Sequence, residues 1–214
     1  MTNAIAAITF AAFALLSLTG QVDNAAVLAG FIPARILDPQ LLAGVTAVPA
    51  WLTPISCTFV HAGWLHIGFN LMMLLFCGRQ VEQVLRGGAL LLLYVAGAYG
   101  ATLAQWMMDS SSPNPMVGAS GAISAVIATY ALLYSQQNVR RIGPFSGNVL
   151  RLLWLAAGWI AIQLMIGLAG SGAGGFGDLG QIAIAAHIGG FLTGLLLTRP
   201  LLRWRFRKRP QSSA

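Results

Sequence analysis

The chain has 214 residues, of which 57% are hydrophobic and only 8% are charged, and its mean hydropathy is +0.75. Soluble domains carry about 25% charged residues, so this composition excludes an ordinary soluble domain and predicts a polytopic membrane protein. The net charge of +7 does not indicate nucleic-acid binding, because six of the twelve Lys and Arg residues lie at or after Arg199, behind the last apolar stretch. Two cysteines, Cys57 and Cys77, are too few for a disulfide framework and are interpreted as small apolar fillers.

Six apolar stretches follow one another along the chain, and we interpret them as membrane spans. They cover about residues 4–20, 64–85, 89–108, 118–134, 150–168 and 181–198. The segment after the first span is too polar to cross a membrane and too apolar for a plain linker, so we expect it to lie partly inserted at the membrane surface. The expected fold class is all-α: a six-helix polytopic bundle in a single domain over 1–214, with a long membrane-associated first loop. Pro200 is expected to stop the sixth span, leaving a basic tail over 199–214.

The charged residues predict how the spans are oriented. With six spans, both termini lie on one side, together with the connections after the second and fourth spans. That side holds eleven of the twelve Lys and Arg residues, and only Arg35 lies opposite. The positive-inside rule makes the basic side cytoplasmic. No targeting segment is recognised, which favours a multi-pass protein of a bacterial inner membrane with cytoplasmic N- and C-termini.

A candidate nucleophile lies where the fourth span begins, in the sequence Gly118-Ala119-Ser120-Gly121. The preceding polar segment contains Pro113 and Pro115, which disfavour helix, so the loop is expected to end near Met116 and Ser120 to fall in the first turn of a helix. Backbone N–H groups in a first helical turn lack intrahelical acceptors and the helix dipole is positive there, so a hydroxyl at this position has anion-stabilising groups around it. The alternative is that these small residues only pack against another helix.

A candidate base, His187, lies a few residues into the sixth span. An ionisable side chain inside a membrane is unfavourable without a partner or a wet cavity. Small residues surround it at three- and four-residue spacing, which permits another helix to pack closely, and the fourth span has a matching set. These residues are Ala183, Ala186, Gly190 and Gly194 in the sixth span, and Gly121, Ala125 and Ala128 in the fourth. If the two faces meet, Ser120 and His187 form an activated pair near the outer side. A dyad fits better than a triad, because Asp109 and Asp178 belong to loops.

Possible oxyanion donors lie at the start of the second span, which reads His61-Ala-Gly-Trp-Leu-His66-Ile-Gly-Phe-Asn70. His66 and Asn70 are four residues apart and share one helix face. Beside a nucleophile, these two donors and the backbone N–H of Ser120 would form an oxyanion hole. His61 is out of register with this face and is expected to connect the loop to the second span. Two alternatives are helix bridging by Asn70 and a metal site formed by His61, His66 and His187, although their spacing matches no metal motif.

Together these motifs resemble those of the rhomboid family of intramembrane serine proteases. The resemblance rests on three motifs in the expected spans and covers nearly the whole chain. The motifs are His61-x4-His66-x3-Asn70, Gly118-Ala119-Ser120-Gly121 and Ala186-His187-x2-Gly190-x3-Gly194. The resemblance implies a bacterial-type rhomboid bundle with Ser120 as nucleophile and His187 as general base. It also implies an oxyanion hole of His66, Asn70 and the Ser120 backbone, with His61 a structural member of the first loop.

Several positions near the site have expected structural roles. Gly118 should free the backbone at the loop-to-helix corner, and Gly121 should let the His187 helix come close, with Gly190 on the opposing face. Two positions depart from patterns common in the family. Trp51 is followed by Leu52 where many members have arginine, and Ser124 stands where some members stack an aromatic ring on the histidine.

The sequence therefore predicts a serine endopeptidase that cleaves transmembrane substrate proteins near the outer, periplasmic face through an acyl-enzyme. We expect no cofactor, metal ion or nucleic acid among its partners, which would be substrate proteins and membrane lipid. One alternative is a catalytically inactive relative that binds membrane substrates, although such relatives usually lack the serine or the histidine. Another is a small transporter or channel, for which internal repeats or charged residues in the middle of the spans would be expected; the sequence shows no repeat, and its charged residues lie in the connections or near the span ends.

Overall fold

The computed structural model describes residues 1–134 and 184–207, together with a few single positions between 144 and 157. The predicted fifth span lies almost entirely outside the described residues, as do the glycine-rich connection after it and the end of the basic tail. Within the described ranges the chain is helical and forms no strand, apart from one isolated antiparallel bridge between Phe31 and Met116. The predicted all-α class is confirmed.

The first helix, α1 (Thr2–Leu18), is apolar over most of its length and ends just before Gly20, which has a positive φ of 65°. Glycine adopts this conformation without steric cost, so it commonly terminates helices. The start of α1 is held by Glu82, whose carboxylate accepts hydrogen bonds from the Met1 amino group at 2.6 Å and from the Thr2 N–H at 2.8 Å. Helix α1 therefore packs beside the helix that carries Glu82.

The long connection after α1 contains short helical pieces rather than a span. They are α2 (Val22–Ala29), α3 (Ala34–Leu37) and α4 (Thr53–Ser56), with 3₁₀ turns at Ala50–Leu52 and Cys57–Phe59. Side chains fasten the loop to its own backbone: Arg35 Nη2 donates to the Val48 carbonyl at 3.1 Å, and Ser56 Oγ donates to the Ala29 carbonyl at 2.6 Å. Apolar side chains such as Leu37 and Trp51 are largely exposed, as a loop inserted at a membrane surface would require.

The second long helical segment runs from Trp64 to Leu85 in three parts. These are α5 (Trp64–Met73), a π-helical turn over Leu74–Gly78, and α6 (Arg79–Leu85). The segment meets the preceding helical turns, Ala50–Phe59, at an angle of 91°. A Cβ on Gly78 would lie 2.9 Å from Thr2 Cγ2, so the π turn ends at the glycine that allows α1 to pack closely.

Three helices form the centre of the described structure: α7 (Gly87–Met108), α8 (Ser120–Tyr134) and α9 (Ile184–Phe206). Helices α8 and α9 run in the same direction, and α7 runs against both. Their contacts are made by small residues: a Cβ on Gly97 would lie 2.6 Å from Ala125 Cβ, and one on Gly189 would lie 2.5 Å from the Gly100 carbonyl oxygen. Such close backbone approach is typical of helix packing in membranes.

Helix α9 extends beyond its predicted end. Pro200 was expected to stop the sixth span, but α9 continues through it to Phe206, so the first part of the expected tail is helical. Proline removes one backbone hydrogen bond and crowds the preceding turn. Here the following residues are held by packing, because Leu201 is only 5% exposed and belongs to the core cluster that contains Leu85 and Leu90.

By length and composition, two described helices could each cross a membrane, α7 and α9. A third span results if the bent pair Ala50–Phe59 and Trp64–Leu85 is counted as one, and α1 and α8 are shorter apolar helices. The described residues thus place five of the six predicted spans on helices.

Candidate active site

Ser120 and His187 come together at the ends where α8 and α9 begin. Ser120 is the first residue of α8, and His187 lies in the first turn of α9. Ser120 Oγ and His187 Nε2 are 2.7 Å apart, a hydrogen-bonding distance. Both residues are half-buried. A serine hydroxyl hydrogen-bonded to an imidazole is the arrangement of an activated nucleophile.

A regular series of close contacts brings α8 and α9 together. The two residues of each pair are 69 positions apart in the sequence. Beyond the Ser120–His187 contact, the two helices therefore stay in the same register. The pairs are Gly121–Gly190, Ala125–Gly194 and Thr129–Thr198. A Cβ on Gly190 would overlap the Gly121 carbonyl oxygen. The pair farthest from Ser120 makes a polar contact, because the buried Oγ1 atoms of Thr129 and Thr198 are 2.8 Å apart.

Gly121 has a different neighbour from the one we predicted. Its missing side chain was expected to admit the His187 helix, but a Cβ there would lie 2.5 Å from Ala101 Cβ on α7 and 3.7 Å from the Ala186 carbonyl oxygen on α9. The close approach of α9 depends instead on Gly190, which lies against the Gly121 backbone. Small residues at helical spacing indicate that a helix is near, but they do not indicate which of two neighbouring helices each residue faces.

Backbone hydrogen bonds from the first loop hold the segment that leads into Ser120. Met116 and Phe31 exchange two of them, at 2.8 and 3.0 Å. The Gly118 N–H donates to the Cys57 carbonyl at 2.9 Å. Sequence reasoning missed these anchors, because contacts made by a backbone carbonyl leave no signal in the identity of the residue. Cys57 therefore contributes a structural carbonyl in addition to its small buried side chain.

His61 is fully buried and reaches the residue before the candidate nucleophile. Its Nε2 accepts a hydrogen bond from the Ala119 N–H at 3.4 Å. Because a neutral imidazole that accepts at Nε2 carries its proton on Nδ1, this contact selects one tautomer. The His61 ring also packs edge-on against His66, with centroids 5.0 Å apart. His61 thus joins the first loop both to α5 and to the start of α8, and the second of these connections was not predicted.

His66 lies directly against Gly118. A Cβ on Gly118 would be 2.7 Å from both Cε1 and Nε2 of the His66 ring. The φ of Gly118 is 115°, a conformation that side-chain-bearing residues rarely adopt. Glycine is therefore needed at position 118 for two reasons. It permits the backbone conformation that we expected, and it leaves room for the His66 ring, a contact that the sequence did not reveal.

Asn70 lies one turn after His66 on α5 and is 6% exposed. Its Nδ2 donates to the His66 carbonyl at 2.8 Å. An amide nitrogen has two N–H groups, so this bond uses one of them. Helix α5 contacts α8, so Asn70 lies on a helix that is a direct neighbour of the one that begins with Ser120.

Ser124, at the position where an aromatic ring was considered, is turned back onto its own helix. Its Oγ donates to the Ser120 carbonyl at 2.8 Å, and its Cβ is 3.3 Å from the place that a Cβ on Gly190 would occupy. The backbone of α9 therefore lies against Ser124. A small residue at this position permits the helix contact that brings His187 to Ser120.

The metal alternative gains no support from the part of the chain that the structure describes. Within it, no group of three or more His, Cys, Asp or Glu side chains is placed to hold a metal ion.

The fold and the site together define a helical membrane protein with a hydrogen-bonded serine–histidine pair at the start of two tightly packed helices. Residues 49–204 match the family model described as the Rhomboid domain, and the chain belongs to the rhomboid family. The resemblance inferred from the three sequence motifs is thereby confirmed.

Relatives from plants and bacteria have similar levels of identity. Rhomboid-like protein 11, chloroplastic, of Arabidopsis thaliana is 31% identical over 165 residues, covering 77% of this chain and 56% of that protein. The rhomboid protease GlpG of Pectobacterium atrosepticum is 29% identical over 198 residues, covering 92% and 61%. The rhomboid protease GluP of Bacillus subtilis is 32% identical over 151 residues, covering 70% and 26%. The chain thus spans less than two thirds of the length of each of these relatives.

Proposed function

We propose that this protein is an intramembrane serine endopeptidase that cleaves transmembrane substrate proteins with Ser120 and His187. The observation that carries the proposal is the 2.7 Å contact between Ser120 Oγ and His187 Nε2. Membership of a family that includes named proteases supports it. The position of Ser120 at the start of α8 adds unpaired backbone donors and a positive helix dipole beside the hydroxyl.

In the first half of the reaction, Ser120 Oγ attacks the carbonyl carbon of the scissile peptide bond as its proton passes to His187 Nε2. The carbonyl oxygen becomes an oxyanion, and the Ser120 N–H, His66 and Asn70 are the proposed donors to it. The intermediate then collapses: the carbon–nitrogen bond breaks and His187 gives the proton to the leaving amine. The other half of the substrate remains as an ester on Ser120.

In the second half, water attacks the ester while His187 Nε2 takes one of its protons. Collapse of the second intermediate returns that proton to Ser120 Oγ and releases a carboxylic acid, so the enzyme is regenerated. If His66 and Asn70 donate to the oxyanion, replacing either by alanine should lower kcat by about 10²–10³. An unchanged kcat in the double variant would remove both from this role.

The proposed orientation places the basic ends of the helices in the cytoplasm and the Ser120 end toward the periplasm of an inner membrane. Eleven of twelve Lys and Arg residues on one predicted side support it. Cleavage would then occur near the outer face. A substrate helix hides its carbonyls in hydrogen bonds, so we expect a preference for spans that contain glycine or proline near the cleavage site, with small side chains at the cut. Efficient cleavage of uninterrupted poly-leucine spans would contradict this preference.

The test is covalent labelling of the purified protein with a fluorophosphonate. Native protein should be labelled, Ser120→Ala should not be, and His187→Ala should be labelled far more slowly. Ser111→Ala, which removes an exposed hydroxyl in the preceding loop, should be labelled like the native protein. Folded native protein that takes no label would favour the inactive, substrate-binding alternative, and equal labelling of Ser120→Ala would exclude Ser120 as the nucleophile.

A further inference from the structure

The exposed face of α9 changes from leucine to arginine before the helix ends. Leu192 and Leu196 are 41% and 75% exposed, and Arg199 and Arg203 are exposed as well. Successive spacings of four, three and four residues place all four on one side of the helix. The opposite side packs into the bundle through residues such as Thr198 and Leu201. The exposed face of α9 is therefore apolar at Leu192 and Leu196 and positively charged at Arg199 and Arg203.

The α8–α9 register gives the depth of the two arginines. The separation of 69 residues that holds from Gly121–Gly190 to Thr129–Thr198 sets Arg203 level with Tyr134, the last described residue of α8. Arg199 lies one helical turn closer to His187 than Arg203 does, directly after the apolar residues of α9. A guanidinium facing lipid at such a depth requires an anionic partner or a path to the headgroup region.

Neither arginine has a hydrogen-bond or ion-pair partner among the described residues. Glu82 is the one acidic residue at this end of the described helices, and its carboxylate is taken by the Met1 amino group and by Thr2. Arg199 and Arg203 are also four residues apart on one helix, so they repel each other. An external anion would remove both unfavourable features.

We propose that Arg199 and Arg203 bind the phosphate of an anionic phospholipid at the basic end of the bundle. Four helical residues rise about 6 Å, so two guanidinium groups can share one phosphate group, which arginine binds with paired hydrogen bonds. The lipid chains then lie along Leu192 and Leu196. Trp204 is 62% exposed near the same end, as aromatic residues at a membrane interface commonly are. This inference does not depend on the proposed proteolysis.

The test uses native mass spectrometry of the full chain titrated with phosphatidylglycerol or phosphatidylcholine. Each arginine near a membrane surface strengthens the binding of an anionic lipid about fivefold. Arg203→Gln should therefore weaken the first phosphatidylglycerol adduct about fivefold, and Arg199→Gln/Arg203→Gln about 25-fold. Neither should change the phosphatidylcholine adduct. Arg35→Gln, which removes one positive charge at the opposite end, should leave phosphatidylglycerol affinity unchanged, and the double lysine variant should retain most of it.

Three results would overturn the proposal. The first is that the glutamine variants bind phosphatidylglycerol with native affinity. The second is that Arg35→Gln loses as much phosphatidylglycerol affinity as Arg203→Gln. The third is that the glutamine variants lose as much affinity for phosphatidylcholine as for phosphatidylglycerol. If the double variant does not fold, the proposal is tested by Arg203→Gln alone and by the salt dependence of the native protein. Its affinity for phosphatidylglycerol must fall as ionic strength rises, because salt screens the attraction between the arginines and the phosphate. Displacement of phosphatidylglycerol by millimolar inorganic phosphate would identify a free anion rather than a lipid as the ligand.

Discussion

Replacing Gly190 by alanine should inactivate the protein although the Ser120 and His187 side chains are both still present. A methyl group on Gly190 would overlap the Gly121 carbonyl oxygen, lie 2.9 Å from its carbonyl carbon and lie 3.3 Å from Ser124 Cβ. The nearest atoms belong to the backbone of α8, so no side chain can rotate away to relieve the overlap.

The size of the effect follows from these distances. Ordinary contact begins near 3.4 Å, so α9 must move away from α8 by about 1 Å or more. His187 lies three residues before Gly190 on the same face, so it moves with that helix surface. The 2.7 Å separation of Ser120 Oγ and His187 Nε2 would then exceed the reach of about 3.2 Å that proton transfer needs. A misplacement of about 1 Å can lower kcat about 10²-fold, and overpacking should cost about 1–3 kcal/mol of stability.

The assay compares cleavage of a transmembrane substrate, fluorophosphonate labelling and thermal unfolding for native protein, Gly190→Ala and Gly88→Ala. Gly88 is exposed in the first turn of α7 with no atom within 4 Å of a Cβ placed there, so it is a matched glycine-to-alanine control that should retain native kcat. Folded Gly190→Ala with native kcat would refute the argument that this glycine sets the distance between the serine and the histidine.

Other predictions concern neighbouring contacts. Gly118→Ala should lower kcat about 10²-fold, because the methyl group meets the His66 ring and the residue must hold a positive φ; native activity would remove Gly118 from the site. Gly121→Val should abolish activity by forcing α8 away from α7 at Ala101, measured as lost labelling, and full labelling would show that this contact can relax. Thr198→Val should lower stability by about 0.6 kcal/mol with labelling retained, since it removes one buried interhelical hydrogen bond far from the site; an unchanged unfolding temperature would show that this bond contributes nothing measurable.

Local chemistry in the sequence was enough to predict that Ser120 and His187 lie together near the start of two packed helices. Pro113 and Pro115 disfavour helix in the loop before α8, so Ser120 was expected in the first turn of that helix. It is the first residue of α8. His187 is polar within an otherwise apolar stretch, which required a partner, and small residues at helical spacing indicated where one could approach. These inferences depend on residue type and spacing alone, which a single sequence contains.

Features that depend on three-dimensional packing could not be predicted. The backbone pairing of Phe31 with Met116 joins segments 85 residues apart and uses groups that every residue possesses. The contact between His61 and the Ala119 N–H likewise leaves no trace in local sequence. Pro200 was interpreted through its intrinsic tendency to end helices, whereas burial of the next residue, Leu201, overrides that tendency in the folded chain.

The serine–histidine contact is part of the helix interface rather than an addition to it. His187 occupies the first position of a face that continues through Gly190, Gly194 and Thr198, with spacings of three, four and four residues. All four contact α8, whereas Gly189 faces Ala104 and Gly100 of α7. The packing that holds α9 against α8 therefore also fixes the rotation of α9 that directs the imidazole at Ser120. Substitutions that enlarge this face should accordingly impair catalysis more severely the closer they lie to His187, because a helix pushed away at one point and still packed elsewhere bends or tilts, and is displaced most near that point.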